Sequence, residues 1–489
     1  MDRDRAVAAG LWSALDLALR QGVQFLVSIV LARLLTPAEF GIAALVSFFA
    51  SLSIVFLQGG LSMALIQRRD SSRAEESAVF WLNLLASAVF ALLLIAFAPA
   101  IAQLYRIPIL VPLMGLAAAQ IVFAALGAVQ TALLSRQLRF DLLTRAGVFA
   151  SLVSGAAGIV AALEGAGVWS LVIQLAVLAA MNSLALWVVS PWRPAFAFRM
   201  RDLGGLFRFG FALSLSSALD VIYTQGFALI VGKLHGVRDV GLYNRAQSTQ
   251  LLPSNVIGSI VGRVAMPVFA SRSDDRGALR RGIRLANGLT MMVNVPVMTG
   301  LMLLSDLVIR VLFGDQWPAA APILSILALA GLVYPLHIIN LQTLLAQGRS
   351  DLFLRLEIIK KTVGIGSIII GSLFGLIGLA WSQVAFAGIG LAINVSPTKK
   401  SLGYGALKQL RDLGGIFIAA AIMAAVVLIV RPLVHSAPLI ELLILTTVGA
   451  ATYVAAGAAI NGPDFRQAFD LAGQTLGRIN NWRSRDVAR

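Results

Sequence analysis

Two charges stand four residues apart inside an apolar stretch near the start of the chain, Asp16 and Arg20 in LWSALDLALRQGVQFLVSIVLARLL. Four residues is one helical turn, so they share a face and can pair. If the helix enters a bilayer near Gly10, Arg20 lies about 15 Å deep, close to the middle of a hydrocarbon core about 30 Å thick. A charge there is costly unless it meets a partner or water, and so marks a functional site by default. A second acid, Asp220, lies 200 residues after Arg20 in a similar run that holds Ser216, Ser217, Tyr223, Thr224 and Gln225. Arg263 lies in another, about two turns before a basic cluster that starts at Arg272. Its planar, permanently charged guanidinium suits a phosphate; snorkelling toward headgroups is the competing explanation. Amides that could meet sugar hydroxyls stand at Gln24, Gln58, Gln225 and Asn255, although amides more often bind helix to helix.

The composition supports a membrane setting for these groups. Of 489 residues 58% are hydrophobic and 13% are charged, about half the charge fraction of a soluble protein. Fourteen apolar runs are long enough to span: 11–33, 41–66, 77–103, 110–134, 142–163, 167–190, 207–233, 243–270, 285–313, 319–346, 355–374, 376–396, 413–433 and 438–460. Their links are too short for a soluble catalytic domain. Tyr334, Pro335 and His337 predict a kink in the tenth run. The opening MDRDRAVAAG is too polar and short for a cleaved signal, and the segment after Asn461 reads as a polar tail.

The net charge of +16 comes from 39 basic and 23 acidic residues. In a soluble chain this would suggest nucleic acid, but the basic residues fall between spans. With the N-terminus placed in the cytoplasm, thirty of the 39 lie on that side and seven on the other. Both ends are therefore expected in the cytoplasm. There is no cysteine, and His235, His337 and His435 are scattered. No metal site, no cofactor and no nucleotide loop are expected.

The chain also repeats itself. Arg33-Leu34 and Gly41 recur as Lys233-Leu234 and Gly241. Arg139, Asp141, Leu142 and Arg145 recur as Arg349, Asp351, Leu352 and Arg355, and RDLGG occurs at 201–205 and 411–415. The expected fold is an all-α polytopic membrane protein of about 14 transmembrane helices. Two pseudo-symmetric six-helix bundles, 1–200 and 201–400, are followed by two helices over 401–460 and a tail over 461–489. Parallel repeats of this kind place substrate at their midplane interface. Arg20 and Asp220 then face a central cavity; the alternative is that Asp16 and Arg20 form a local pair that seals helix packing.

ARLLTPAEFGIAAL at 32–45, GLSMALIQRRD at 60–70 and VFWLNLL at 79–85 resemble the Wzx-like oligosaccharide flippases. VGKLHGVRDVGLYNRA at 231–246, VLFGDQWPAAAPILSILALAGL at 311–332 and LLAQGRSDLFLRLEIIKK at 344–361 are similar to the same family, in its colanic-acid and succinoglycan-exporter subgroup. The resemblance covers about residues 10–400; the last two spans match only in being hydrophobic. It implies a non-enzymatic, multi-pass transporter of the bacterial inner membrane, in the superfamily that also holds multidrug exporters. The implied substrate is an oligosaccharide repeat unit on undecaprenyl pyrophosphate, for exopolysaccharide, capsule or O-antigen assembly. The resemblance also implies that a proton or sodium gradient drives it, with a polysaccharide polymerase and a chain-length regulator as expected partners besides membrane lipids. Arg20 and Arg263 are then expected to attract the pyrophosphate, with Gln24, Gln58, Gln225 and Asn255 on the sugars. Asp16 and Asp220, read from the residues and not from the family, are the ion-coupling candidates. A multidrug or cation antiporter on the same fold is the alternative; its cavity should be acidic, whereas here basic groups equal or outnumber acids.

Overall fold

The structure, a computed structural model, describes residues 3–57, 62–67, 71–195, 204–270 and 275–460, without the side chains of 3–18, 57, 64, 67, 204–213, 259–268, 270 and 350. Every regular element among them is a helix. Eleven helical stretches among the described residues are long and apolar enough to cross a membrane. With no water in a bilayer core, the backbone bonds of such spans must close within the helix. The chain divides into two compact units, Met1–Asn244 with Leu312–Gln316, and Arg245–Val311 with Trp317–Arg489.

The first unit begins with α1 (Arg3–Leu34), α2 (Pro37–Leu57) and the short α3 (Met63–Gln67). Next come α4 (Arg73–Tyr105), α5 (Leu110–Leu126), α6 (Ala128–Arg136), α7 (Phe140–Leu163) and α8 (Trp169–Val189). It closes with α9 (Gly204–Gln225), α10 (Phe227–Leu234) and the first turns of α11 (Val237–Ala270). Helix α4 starts on a reciprocal cap: Ser72 Oγ accepts from the Glu75 amide, and the Glu75 carboxylate accepts from the Ser72 amide at 2.8 Å. Such a pair satisfies two donors that a helix start leaves orphaned. Helix α1 packs along α7, α7 along α8, and α5 against both α4 and α8.

Helices α5 and α6 form one span broken at Gly127. A break leaves carbonyls without amide partners, which is costly in an apolar setting. Here α8 supplies them: Ser183 Oγ donates to the Phe123 carbonyl and Trp187 Nε1 to that of Leu126 at 2.8 Å. A Cβ on Gly127 would lie 2.7 Å from Ser183 Oγ, so only glycine lets α8 come this close. In the same unit α2 and the start of α11 cross at Gly41 and Gly241, where a side chain on either glycine would meet backbone.

The second unit holds the rest of α11, then α12 (Arg276–Leu303), α13 (Ser305–Phe313), α14 (Ala320–Gly331) and α15 (Tyr334–Ala346). It continues with α16 (Ser350–Ser372), α17 (Gly375–Leu402), the short α18 (Ala406–Asp412), α19 (Gly414–Val430) and α20 (Pro438–Ile460). A buried cluster joins Met291, Val295, Leu336, Leu391, Ala419, Met423 and Leu445 from α12, α15, α17, α19 and α20. Under it lies a buried knot of neutral amides. Asn340 and Gln409 exchange hydrogen bonds at 3.0 and 3.1 Å, and Asn287 Nδ2 donates to Gln409 Oε1 at 3.3 Å. Gln409 thereby pins α18 to α12 and α15. Beside it Tyr404 donates to Asp412 at 2.9 Å, and Arg284 pairs with Asp412 at 3.3 Å.

The 210-residue repeat reappears as local geometry in the two units. Leu138 and Gly348 both adopt positive φ, 58° and 72°. The next residues, Arg139 and Arg349, have nearly the same dihedrals, −83°, 55° and −86°, 54°. Each then pairs with the aspartate two residues on, Asp141 at 3.0 Å and Asp351 at 3.7 Å.

Candidate functional site

In the first unit α1, α2, α3, α5, α6, α7 and α8 enclose a cavity of about 530 Å³. Its polar lining comes from Arg20, Ser62, Gln120, Thr131, Ser135 and Asn182; Ile54, Met63, Ile66, Phe140, Leu143, Leu175, Leu178 and Leu186 supply apolar wall. Among the described lining residues Arg20 carries a charge and none is acidic. Inside a low-dielectric wall, a guanidinium lining a cavity beside neutral donors and acceptors favours an anion with several acceptor oxygens.

The local structure explains how Arg20 is placed. Helices α1 and α7 run parallel and touch through glycines. An added Cβ on Gly147 would lie 2.6 Å from Arg20 Cδ, 2.7 Å from Nε and 2.8 Å from Cζ. Eight residues on, a Cβ on Gly155 would strike Val27 Cγ2. The stem and guanidine of Arg20 therefore lie flat on the backbone of α7, and Gly147 is itself part of the cavity wall. Around them Thr131 Oγ1 donates to the Gly127 carbonyl at 2.9 Å, and Asn83 Nδ2 donates to Ser62 Oγ at 3.1 Å. Both hydroxyl oxygens retain acceptor capacity.

The residues singled out from sequence fall as follows. Arg20 lines the cavity and is half-buried. Gln24, one turn later on α1, is exposed. Asp220 is exposed on α9, where its carbonyl accepts from Thr224 Oγ1 at 2.7 Å. Gln225 ends α9 half-buried. Asn255 is exposed on α11 in the second unit. Gln58 and the side chains of Asp16 and Arg263 lie outside the described residues. Helix α1 packs on α7, whereas α9 packs on α2 and α3. Gln120, Thr131, Ser135, Asn182 and Gly147 join the site without having been singled out. Their signal was weak: a lone amide in an apolar run, or a glycine whose meaning depends on what rests on it.

A second cavity, about 440 Å³, lies in the second unit among α12, α13, α19 and α20. Met292, Pro296, Leu304, Met423, Leu445 and Tyr453 give it an apolar wall, suited to hydrocarbon rather than to a charged group. Among the described residues no group of three or more His, Asp or Glu is placed to hold a metal ion.

Residues 30–322 match the model of a family described as polysaccharide biosynthesis protein. The teichuronic acid biosynthesis protein TuaB of Bacillus subtilis is 32% identical over 61% of this chain and 62% of its own length. The succinoglycan biosynthesis transport protein ExoT of Rhizobium meliloti is 31% identical over 66% of each chain. The lipopolysaccharide biosynthesis protein WzxC of Escherichia coli is 24% identical over 77% of each. The chain thus spans just under two thirds of the first two relatives. Among solved structures, lipid II flippase MurJ in an inward closed conformation superposes with a TM-score of 0.75 at 19% identity, over 92% of this chain and 98% of that one. An inward-facing multidrug resistance MATE transporter of the MOP superfamily gives 0.61 at 17% identity, over 79% and 99%. These two likenesses show the fold.

Proposed function

The chain belongs to the polysaccharide biosynthesis protein family and has the fold of MOP-superfamily transporters, and from that premise we propose that it is a flippase for lipid-linked oligosaccharide. The substrate is a repeat unit on undecaprenyl pyrophosphate, carried across the bacterial inner membrane by ion-coupled alternating access for exopolysaccharide, capsule or O-antigen assembly. The observation that carries this reading is Arg20: a guanidinium in a membrane-embedded cavity, among Gln120, Asn182, Thr131 and Ser135, with no acid in the described lining. A diphosphate is anionic and rich in acceptor oxygens, and sugars present hydroxyls that amides bind well.

On this reading Arg20 and Arg263 attract the pyrophosphate, and Gln24, Gln58, Gln225 and Asn255 meet sugar hydroxyls. Asp16 and Asp220 take up a proton or sodium ion and bias the two access states. Fourteen spans follow if α1, α11 and α16, helices of 32, 34 and 23 residues, also cross the membrane. The lobes are then residues 1–200 and 201–400, with two further helices over 401–460, and both termini lie in the cytoplasm. A polymerase and a chain-length regulator take over the product on the far side.

The MATE likeness favours one rival, a multidrug or cation antiporter. A cavity built for organic cations needs a carboxylate in its wall, and the described lining offers a guanidinium instead. The test is deletion of the gene followed by analysis of lipid-linked intermediates, with Arg20→Ala and Arg263→Ala returned on a plasmid. Accumulation of the full repeat unit on the inner leaflet, restored by the wild type and by neither variant at equal insertion, is expected. Unchanged lipid intermediates with raised drug sensitivity would favour the antiporter, and normal polymer yield from both variants would reject the arginines' role.

A further inference from the structure

We propose that Gly147 is a positioning residue for Arg20: its missing side chain is what lets the guanidinium lie flat on α7 and reach the cavity. The claim rests on the reading of Arg20 as the anion-binding group.

The glycine seam between α1 and α7 has two contacts of different kind. At Gly155 the neighbour is Val27, a short branched hydrocarbon with one strongly preferred rotamer in a helix. An added methyl there has little to push aside and strains the helix pair itself. At Gly147 the neighbours are Cδ, Nε and Cζ of Arg20, at 2.6, 2.7 and 2.8 Å from where a Cβ would stand. Those atoms are the far end of a long side chain with several rotatable bonds. A methyl at 147 is therefore relieved by rotating Arg20 rather than by separating the helices. The fold survives and the guanidinium moves. Gly147 also faces the cavity that Arg20 enters, together with Thr131, Ser135 and Asn182. A Cβ at this place removes cavity space and displaces the charge in one step. A misplacement of about 1 Å is enough to weaken a site built on oriented donors.

The experiment uses the full-length protein in lipid vesicles with undecaprenyl pyrophosphate as probe. Its variants are Gly147→Ala, Gly155→Ala, Arg20→Ala and the double Gly147→Ala/Arg20→Ala. Loss of the Arg20 guanidinium is expected to weaken probe binding about tenfold, the effect of one charge-assisted contact. Gly147→Ala should weaken it comparably while leaving the unfolding temperature near that of the wild type. In the Arg20→Ala background the same substitution should cost no further affinity, because the group it displaces is gone. Gly155→Ala should lower the unfolding temperature and leave probe affinity unchanged. A Gly147→Ala protein that binds like the wild type, or one that adds a further loss to Arg20→Ala, overturns the positioning role. If Arg20→Ala itself binds normally, the reading of the site fails instead. A cryo-EM map of Gly147→Ala then decides the positioning claim alone, since a guanidinium unmoved from α7 refutes it whatever the ligand.

Discussion

Gly41 and Gly241, which occupy equivalent places in the 200-residue repeat, press against each other. A Cβ on Gly41 would fall on the Val237 carbonyl, and one on Gly241 on the Pro37 carbonyl; Pro37 and Val237 are themselves equivalent. Such reciprocity is the mark of a two-fold contact, here made inside one compact unit. Both obstacles are backbone, so no rotamer change can relieve them. Gly41→Ala and Gly241→Ala should each destabilise the folded protein by about 3 kcal/mol or more. Thermal unfolding in detergent measures this. Wild-type stability of either variant would mean that α2 and α11 do not cross in backbone contact at these glycines.

The two copies of the turn before α7 and α16 differ in one residue with a calculable effect. Leu138 holds φ 58° with a side chain, whereas Gly348 holds φ 72° without one. Left-handed backbone costs an L-residue roughly 1–2 kcal/mol, part of which glycine returns through its freer unfolded chain. Leu138→Gly should therefore stabilise by about 1 kcal/mol, and Gly348→Leu should destabilise by about as much. Denaturation midpoints of the two variants, moving in opposite directions, are the check.

Gln409 is fully buried, its amide exchanges hydrogen bonds with Asn340, and its Oε1 also accepts from Asn287 Nδ2. Removing one member of a buried polar set leaves its partners unpaired, at about 1–3 kcal/mol for each. Gln409→Ala should cost roughly 2–4 kcal/mol and release α18 to faster amide hydrogen exchange. Replacing Asn287, Asn340 and Gln409 together by Leu should cost much less than the sum of the single changes. Additive losses would rule out the network as a unit.

Asp275 caps α12, accepting from the amides of Gly277 and Ala278 at 2.8 and 2.9 Å. Those bonds favour its ionised form and hold its carboxyl below the usual aspartate range. The unfolded chain therefore binds this proton more readily than the folded one. The cap's stabilisation is complete above the unfolded value, about 3.9, and is lost as pH falls through the lower folded value. Amide exchange at Gly277 and Ala278 should accelerate below pH 4 in the wild type. Asp275→Asn keeps an acceptor and loses the proton, so its exchange should show no such step.

Much of this architecture is legible in the residues because a bilayer punishes exceptions. Arg20 stands out since a guanidinium in an apolar run has few tolerable explanations, and it lies in the cavity. Tyr334, Pro335 and His337 predict a kink in the run over 319–346, and the run is divided there into α14 and α15, with Pro335 in the first turn of α15. The run over 110–134, by contrast, reads as one span and is broken at Gly127. A glycine marks a bend only once its neighbours are known, here Ser183 and Trp187. Gln120 and Asn182 carry little signal in sequence for a related reason: a neutral amide in a span is as often a helix fastener as a ligand group. Gly147 carries no signal at all until Arg20 is seen lying across it.

The bend at Gly127 has a mechanical meaning. Its freed carbonyls are held by side chains of α8, so it cannot flex unless α8 travels with it. Helices α5, α6 and α8 form one kinematic body, a fixed wall on one flank of the cavity. On another flank of the same chamber α1 meets α7 across the side-chain-free Gly147 and Gly155.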